Sequence, residues 1–75
     1  MNQHPARRMT WTEIQGLREC RGRWVALRRC SFDAASGQAK SGELVDRDAD
    51  LATLCNRLRD AHFTDCSVLF CPGRH

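Results

Sequence analysis

Cys20, Cys30, Cys55, Cys66 and Cys71 are the residues of this 75-residue chain with the widest chemistry open to them. A zinc set can be drawn from Cys66-x4-Cys71-x3-His75 with Cys55 or His62 added, but a zinc site needs four ligands meeting tetrahedrally at about 2.0–2.3 Å. Paired C-x2-C knuckles are absent, and strand alternation would send Cys66 and Cys71 to opposite faces, so no metal site is expected. A nucleophilic thiol needs a neighbouring base or an electropositive pocket to hold it as thiolate. Cys20 and Cys30 have arginine neighbours in sequence, yet no histidine can be placed beside either. The chain also lacks a glycine-rich phosphate loop, a paired-carboxylate constellation and a Ser-His-Asp spacing. No catalytic residue, cofactor or small-molecule substrate is therefore expected, and the chain does not read as an enzyme. The odd cysteine count, with no secretory signal beside it, argues against a disulfide framework and for reduced, mostly buried thiols.

Arginine is the second candidate chemistry. Residues 1–29 carry seven arginines against Glu13 and Glu19, while the remainder of the chain is net acidic, within a total formal charge of +3. Arg18, Arg21, Arg23, Arg28 and Arg29 are the residues that would neutralise phosphates if the domain bound nucleic acid, the alternative reading of its function. No recognised reader motif accompanies them, and Trp24 beside them reads as core rather than as a stacking platform. No uninterrupted apolar stretch exceeds four residues, as at Trp24 to Leu27, against the roughly 20 needed to cross a bilayer, so no membrane partner is expected. A cytoplasmic location is the default expectation.

These residues must be carried by a single small domain. Residues 1–9 read as a disordered lead or as sequence upstream of an internal start at Met9, residues 10–71 as one α/β domain, and 72–75 as a tail. Thr10-Trp11-Thr12-Glu13 matches a capping box, and Trp11, Ile14 and Leu17 recur on one face of a short helix of about two to three turns. Gly22 to Cys30 reads as a strand, Asp33 to Gly37 as a turn, and Gln38 to Asp46 as the returning strand of a hairpin. Asp48 is the expected N-cap of an amphipathic helix whose stripe is Leu51, Leu54, Cys55, Leu58 and Ala61. Cys66 to Cys71 follows as a third strand, ended by Pro72-Gly73.

The expected fold class is α+β: a short N-terminal helix, a β-hairpin, and an amphipathic helix packed on a three-stranded mixed sheet, in the order α-β-β-α-β. The long helix is a crossover, so the second and third strands should run parallel, and the first is a candidate to lie between them. The third strand, Cys66, Ser67, Val68, Leu69, Phe70 and Cys71, contains no charge or proline, the devices that normally protect an exposed edge. It must then be central or be paired with another chain. Both faces of the first and third strands are apolar and the long helix covers only one, leaving the N-terminal helix or a second subunit to cover the other. A homodimer or a partner protein docked on that strand is the expected companion, and a non-enzymatic interaction module the leading functional reading.

Gly22-x-Trp24-Val25-Ala26-Leu27, a hairpin with Ser41-Gly42-Glu43-Leu44-Val45, the Asp50-Leu51-x-x-Leu54 helix and the strand closing on Cys71-Pro72 are similar to a small prokaryotic family of uncharacterised domains. That family carries a G-[KR]-W-V-A-[IL] strand, and the resemblance spans about Arg21 to Pro72. It implies a compact ββαβ unit in a prokaryotic cytoplasm and brings no assigned catalytic or binding residues.

Overall fold

The structure, a computed structural model, describes residues 7–73. In chain order it contains β1 (Arg8–Thr10), α1 (Trp11–Gln15), a 3₁₀ turn (Arg18–Cys20), β2 (Arg23–Phe32), β3 (Ala39–Asp48), α2 (Leu51–Asp60) and β4 (Cys66–Cys71). The α+β class is as the sequence predicts. The sheet, however, has four strands in the order β1-β3-β2-β4, and every neighbouring pair is antiparallel, so it is not a three-stranded mixed sheet. The added strand comes from the expected lead: Arg8 to Thr10 pair with Glu43 to Ser41. Three residues are too few to show a period of two, and Thr10 already carries the capping signal of the helix that follows. The rest of that expected lead, residues 1–6, lies outside the described residues, as do the last two residues of the expected tail.

β3 and β4 both run against β2, hence parallel to one another with β2 between them, the arrangement the crossover argument favoured. At the hairpin tip Asp33 accepts hydrogen bonds from the Ser36 backbone N–H and hydroxyl at 2.9 and 2.8 Å, and Gly37 takes φ +75°, a region open to glycine at little cost. The hairpin is irregular. Arg29 and Cys30 of β2 together oppose Gly42 of β3, with Arg29 at φ +53°. Such a bulge shifts the alternation by one, so Cys30 packs with the α1 side rather than with Trp24 and Ala26. Gly42 has no room for a side chain: a Cβ there would lie 3.1 Å from Leu27 Cβ and 3.4 Å from Cys30 Cα.

Thr10 caps α1 as predicted, accepting from the Glu13 N–H at 3.1 Å while the Glu13 carboxylate accepts from the Thr10 N–H at 2.9 Å. The helix ends sooner than the expected two to three turns. Gly16 closes it, and Leu17 leads into the 3₁₀ turn. For α2 the cap is Asp50, not Asp48: its carboxylate accepts from the Thr53 N–H at 2.8 Å and the Thr53 hydroxyl at 2.6 Å. Asp48 remains in β3, where strand pairing runs further than the sequence suggested, and joins Asp46 in binding Arg57.

Alternation divides the core in two. On one side Val25, Leu27 and Cys71 pack with Ile14 and Cys20, with Trp11, Leu17, Leu44 and Leu69 around them. On the other, Ala26 meets Leu54 and Leu58 of α2, bordered by Trp24, Val45, Phe63, Cys66 and Val68. Both sheet faces are thus covered within the chain. The stripe of α2 is narrower than predicted, since Leu54 and Leu58 are buried whereas Cys55 and Ala61 are exposed and Leu51 is 38% exposed. A short sheet offers one helix only a narrow seam, and the flanks of the stripe overhang it.

Candidate functional site

β4 is an edge strand. Among the described residues its one neighbour is β2, with Cys66 opposite Arg28 and Cys71 opposite Arg23. The sequence required this strand to be central or else paired with another chain, and within this chain it is not central. The hairpin takes the inner positions because β2 and β3 are long and adjacent, whereas the crossover delivers β4 to the open side of β2. Alternate residues along β4 turn their N–H and C=O groups away from β2. The opposite edge differs in kind: β1 is three residues long, and Arg8 reaches inward to donate to the Arg29 carbonyl at 2.7 Å and to Ser31 Oγ at 3.0 Å.

The side chains of β4 are anchored from both layers. Cys66 and Val68 belong to the α2 side and Leu69 and Cys71 to the α1 side, so Cys66 and Cys71 do face opposite ways. Phe70 is 47% exposed and meets Trp24 in an edge-on contact with centroids 5.2 Å apart. Beside the strand lies an open cleft of about 770 Å³, walled by Trp11 and Gln15 of α1, Phe32 and Lys40 of the hairpin, and Leu69 and Phe70 of β4. Its walls are mixed, aromatic from Trp11, Phe32 and Phe70 and polar from Gln15 and Lys40. The strand was legible in the sequence but the cleft was not, because Phe32 and Lys40 are remote from Leu69 and Phe70 along the chain.

Four of the thiols are shifted away from the thiolate form. Burial pushes the Cys20, Cys30, Cys66 and Cys71 thiols up from their ordinary range; for Cys20 the nearby Cys71 and Glu19 add to the rise, while Arg47 and Arg23 oppose it. All five cysteines are free, and among the described residues no three of His, Cys, Asp and Glu converge as a metal would require.

The arginines singled out as phosphate ligands are not brought together. Arg18, Arg21 and Arg23 gather at the end of the sheet where Cys20 and Cys71 lie, their positions set by the 3₁₀ turn and the start of β2. Arg28 is further along β2 by about 16 Å at the usual strand rise. There its guanidinium sits over Phe63, 5.6 Å from the ring centroid. Arg29, at the bulge, is 3.8 Å from Glu43. These five thus fall into two groups along the sheet, one at the Cys71 end and one toward the Cys66 end.

The best-formed charged cluster was not anticipated. Arg57, off the apolar stripe of α2, donates to Asp46 at 2.9 and 3.1 Å, to Asp48 at 2.8 Å and to the Arg47 carbonyl at 3.0 Å. Burial works against ionisation of Asp46, but the Arg57 side chain and the Arg47 N–H outweigh it and hold the carboxyl below its ordinary range. Asp48 is held down first by the Asp50 N–H and then by Arg57. This cluster ties α2 to β3. No protein-family model, curated protein or solved structure matches the chain.

Proposed function

We propose that the domain is a non-enzymatic protein-interaction module that takes up an extended segment on the outer edge of β4. One observation carries this reading: a six-residue edge without charge or proline, in a sheet whose two faces are already covered by the chain's own α1 and α2. Unpaired edges of this kind template the addition of a further strand. Each main-chain hydrogen bond made there contributes about 0.5–1.5 kcal/mol net, and side chains entering an adjoining pocket supply selectivity. The module is expected to act in the cytoplasm.

From the residues alone, an uncovered sheet face and an unprotected edge both called for a companion. Ile14, with Trp11 and Leu17, closes the face. The edge alone now supports the reading, so the partner is expected to be added to a domain that folds without it.

Selection of random extended peptides on the purified chain tests this, with binding mapped through the main-chain amide signals of Cys66 to Cys71. Phe70→Lys places a charge on the edge at a half-exposed position and should abolish binding while leaving the fold intact. Binders that ignore this substitution, or that perturb amides elsewhere, would count decisively against strand addition at β4.

A further inference from the structure

We infer that the segment added to β4 is β4 of a second copy, making a two-fold dimer with one continuous sheet of eight strands, four from each copy. This rests on the strand-addition reading and names its occupant. Antiparallel pairing of two identical strands requires a two-fold axis normal to the sheet, which leaves each face on its own side. Directly opposed residues must therefore share a face, so even-numbered positions meet even and odd meet odd.

With Leu69 opposite its own copy, Phe70 lies against Val68 of the second copy, an aromatic and β-branched pair of the kind that stabilises sheets. The same register covers the half-exposed Phe70 ring without burying any charge, because β4 has none.

Among the described residues, exposed charges of opposite sign that have no ion pair flank the two ends of β4, which favours a second copy over an unrelated segment. Asp65, exposed and one residue before the strand, has no ion pair among the described residues. At the far end Gly73 packs beside Gly22, between the exposed Arg21 and Arg23, and neither arginine has an ion pair among the described residues. Two-fold pairing with Leu69 on the axis sets Asp65 of each copy opposite Gly73 of the other, at the Arg21 and Arg23 end. Each copy thus supplies the acid for one end and the base for the other.

Sedimentation equilibrium on the whole chain under reducing conditions, over about 1–200 µM, brackets the affinities expected of a modest interface. The wild-type chain should dimerise within it. Asp65→Arg and the double substitution Arg21→Asp/Arg23→Asp should each weaken the dimer roughly tenfold, since exposed attractive pairs at both ends turn repulsive. An equimolar mixture of the two variants should recover association as a heterodimer, because every facing pair is then again of opposite sign. A monomeric wild type, or a mixture no tighter than either variant alone, overturns the second-copy assignment. If the wild type is monomeric but selected peptides still bind at β4, only the occupant is wrong. If a dimer survives Phe70→Lys unchanged, the edge is not the interface and the second-copy assignment falls; the strand-addition reading falls with it only if selected peptides also ignore that substitution.

Discussion

Replacing Ile14 by alanine tests the claim on which the functional reading turns, that the chain seals both faces of its own sheet. Ile14 is fully buried and is the side chain of α1 that reaches the Val25, Leu27 and Cys71 cluster. Removing a fully buried aliphatic side chain beyond Cβ costs about 2–5 kcal/mol. A domain of this length has about 4–11 kcal/mol in total, so the variant should lose a large fraction of its stability. At a urea slope near 1 kcal/mol per molar for small proteins, the midpoint should fall by about 2–5 M. Leu54→Ala, equally buried beneath α2, should fall by a similar amount, whereas Leu51→Ala at a 38% exposed site should change little. Urea unfolding followed by tryptophan fluorescence measures all three, and repeating it at several protein concentrations separates folding from association. If Ile14→Ala costs under about 1 kcal/mol while Leu54→Ala behaves as expected, α1 does not seal its face, and a partner on that face returns to consideration.

Three further predictions follow from other parts of the fold. Gly42→Ala forces a Cβ to within 3.1 Å of Leu27 and toward the Cys30 backbone, and should destabilise by about 1–3 kcal/mol, read from the same urea curves. Asp46, Asp48 and Asp50 all have carboxyls held below their ordinary range in the folded chain. Their contribution is therefore complete above the unfolded value near 3.9 and is lost as pH falls through the lower folded values. Urea midpoints measured from pH 7 to 2.5 should drop at the acid end, and the drop should be shallower in Asp46→Asn/Asp48→Asn; an unchanged slope would remove the Arg57 cluster from the explanation. Iodoacetamide under native conditions should modify the exposed Cys55 first and the fully buried Cys20 and Cys71 last, as mapped by mass spectrometry.

Local signals in the residues determined the elements that stand on local chemistry. The capping box at Thr10 and Glu13, the turn at Asp33 to Gly37, the Leu54 and Leu58 seam of α2 and the chargeless run from Cys66 to Cys71 are all present where the residue types placed them. Each depends on interactions spanning a few residues, which a pattern along the chain can carry. The parts that eluded the sequence depend on pairs distant along it. Arg8 to Thr10 become a strand only because β3 offers them an edge, and Cys30 changes face only because Gly42 admits a bulge. Asp48 gives up the cap to Asp50 because strand pairing and Arg57 hold it in β3.

The candidate site divides in the same way. Composition alone marked Cys66 to Cys71 as an unprotected strand and the front arginines as a phosphate-binding set, since charge and its absence are properties of residues. Only tertiary packing decided that the strand lies at an edge, that a cleft opens beside it, and that Arg28 and Arg29 lie apart from Arg18, Arg21 and Arg23. It also decided that α1 closes the second face, which no local pattern could settle, because which surface a short helix covers is set by where its chain neighbours pair and not by its own periodicity.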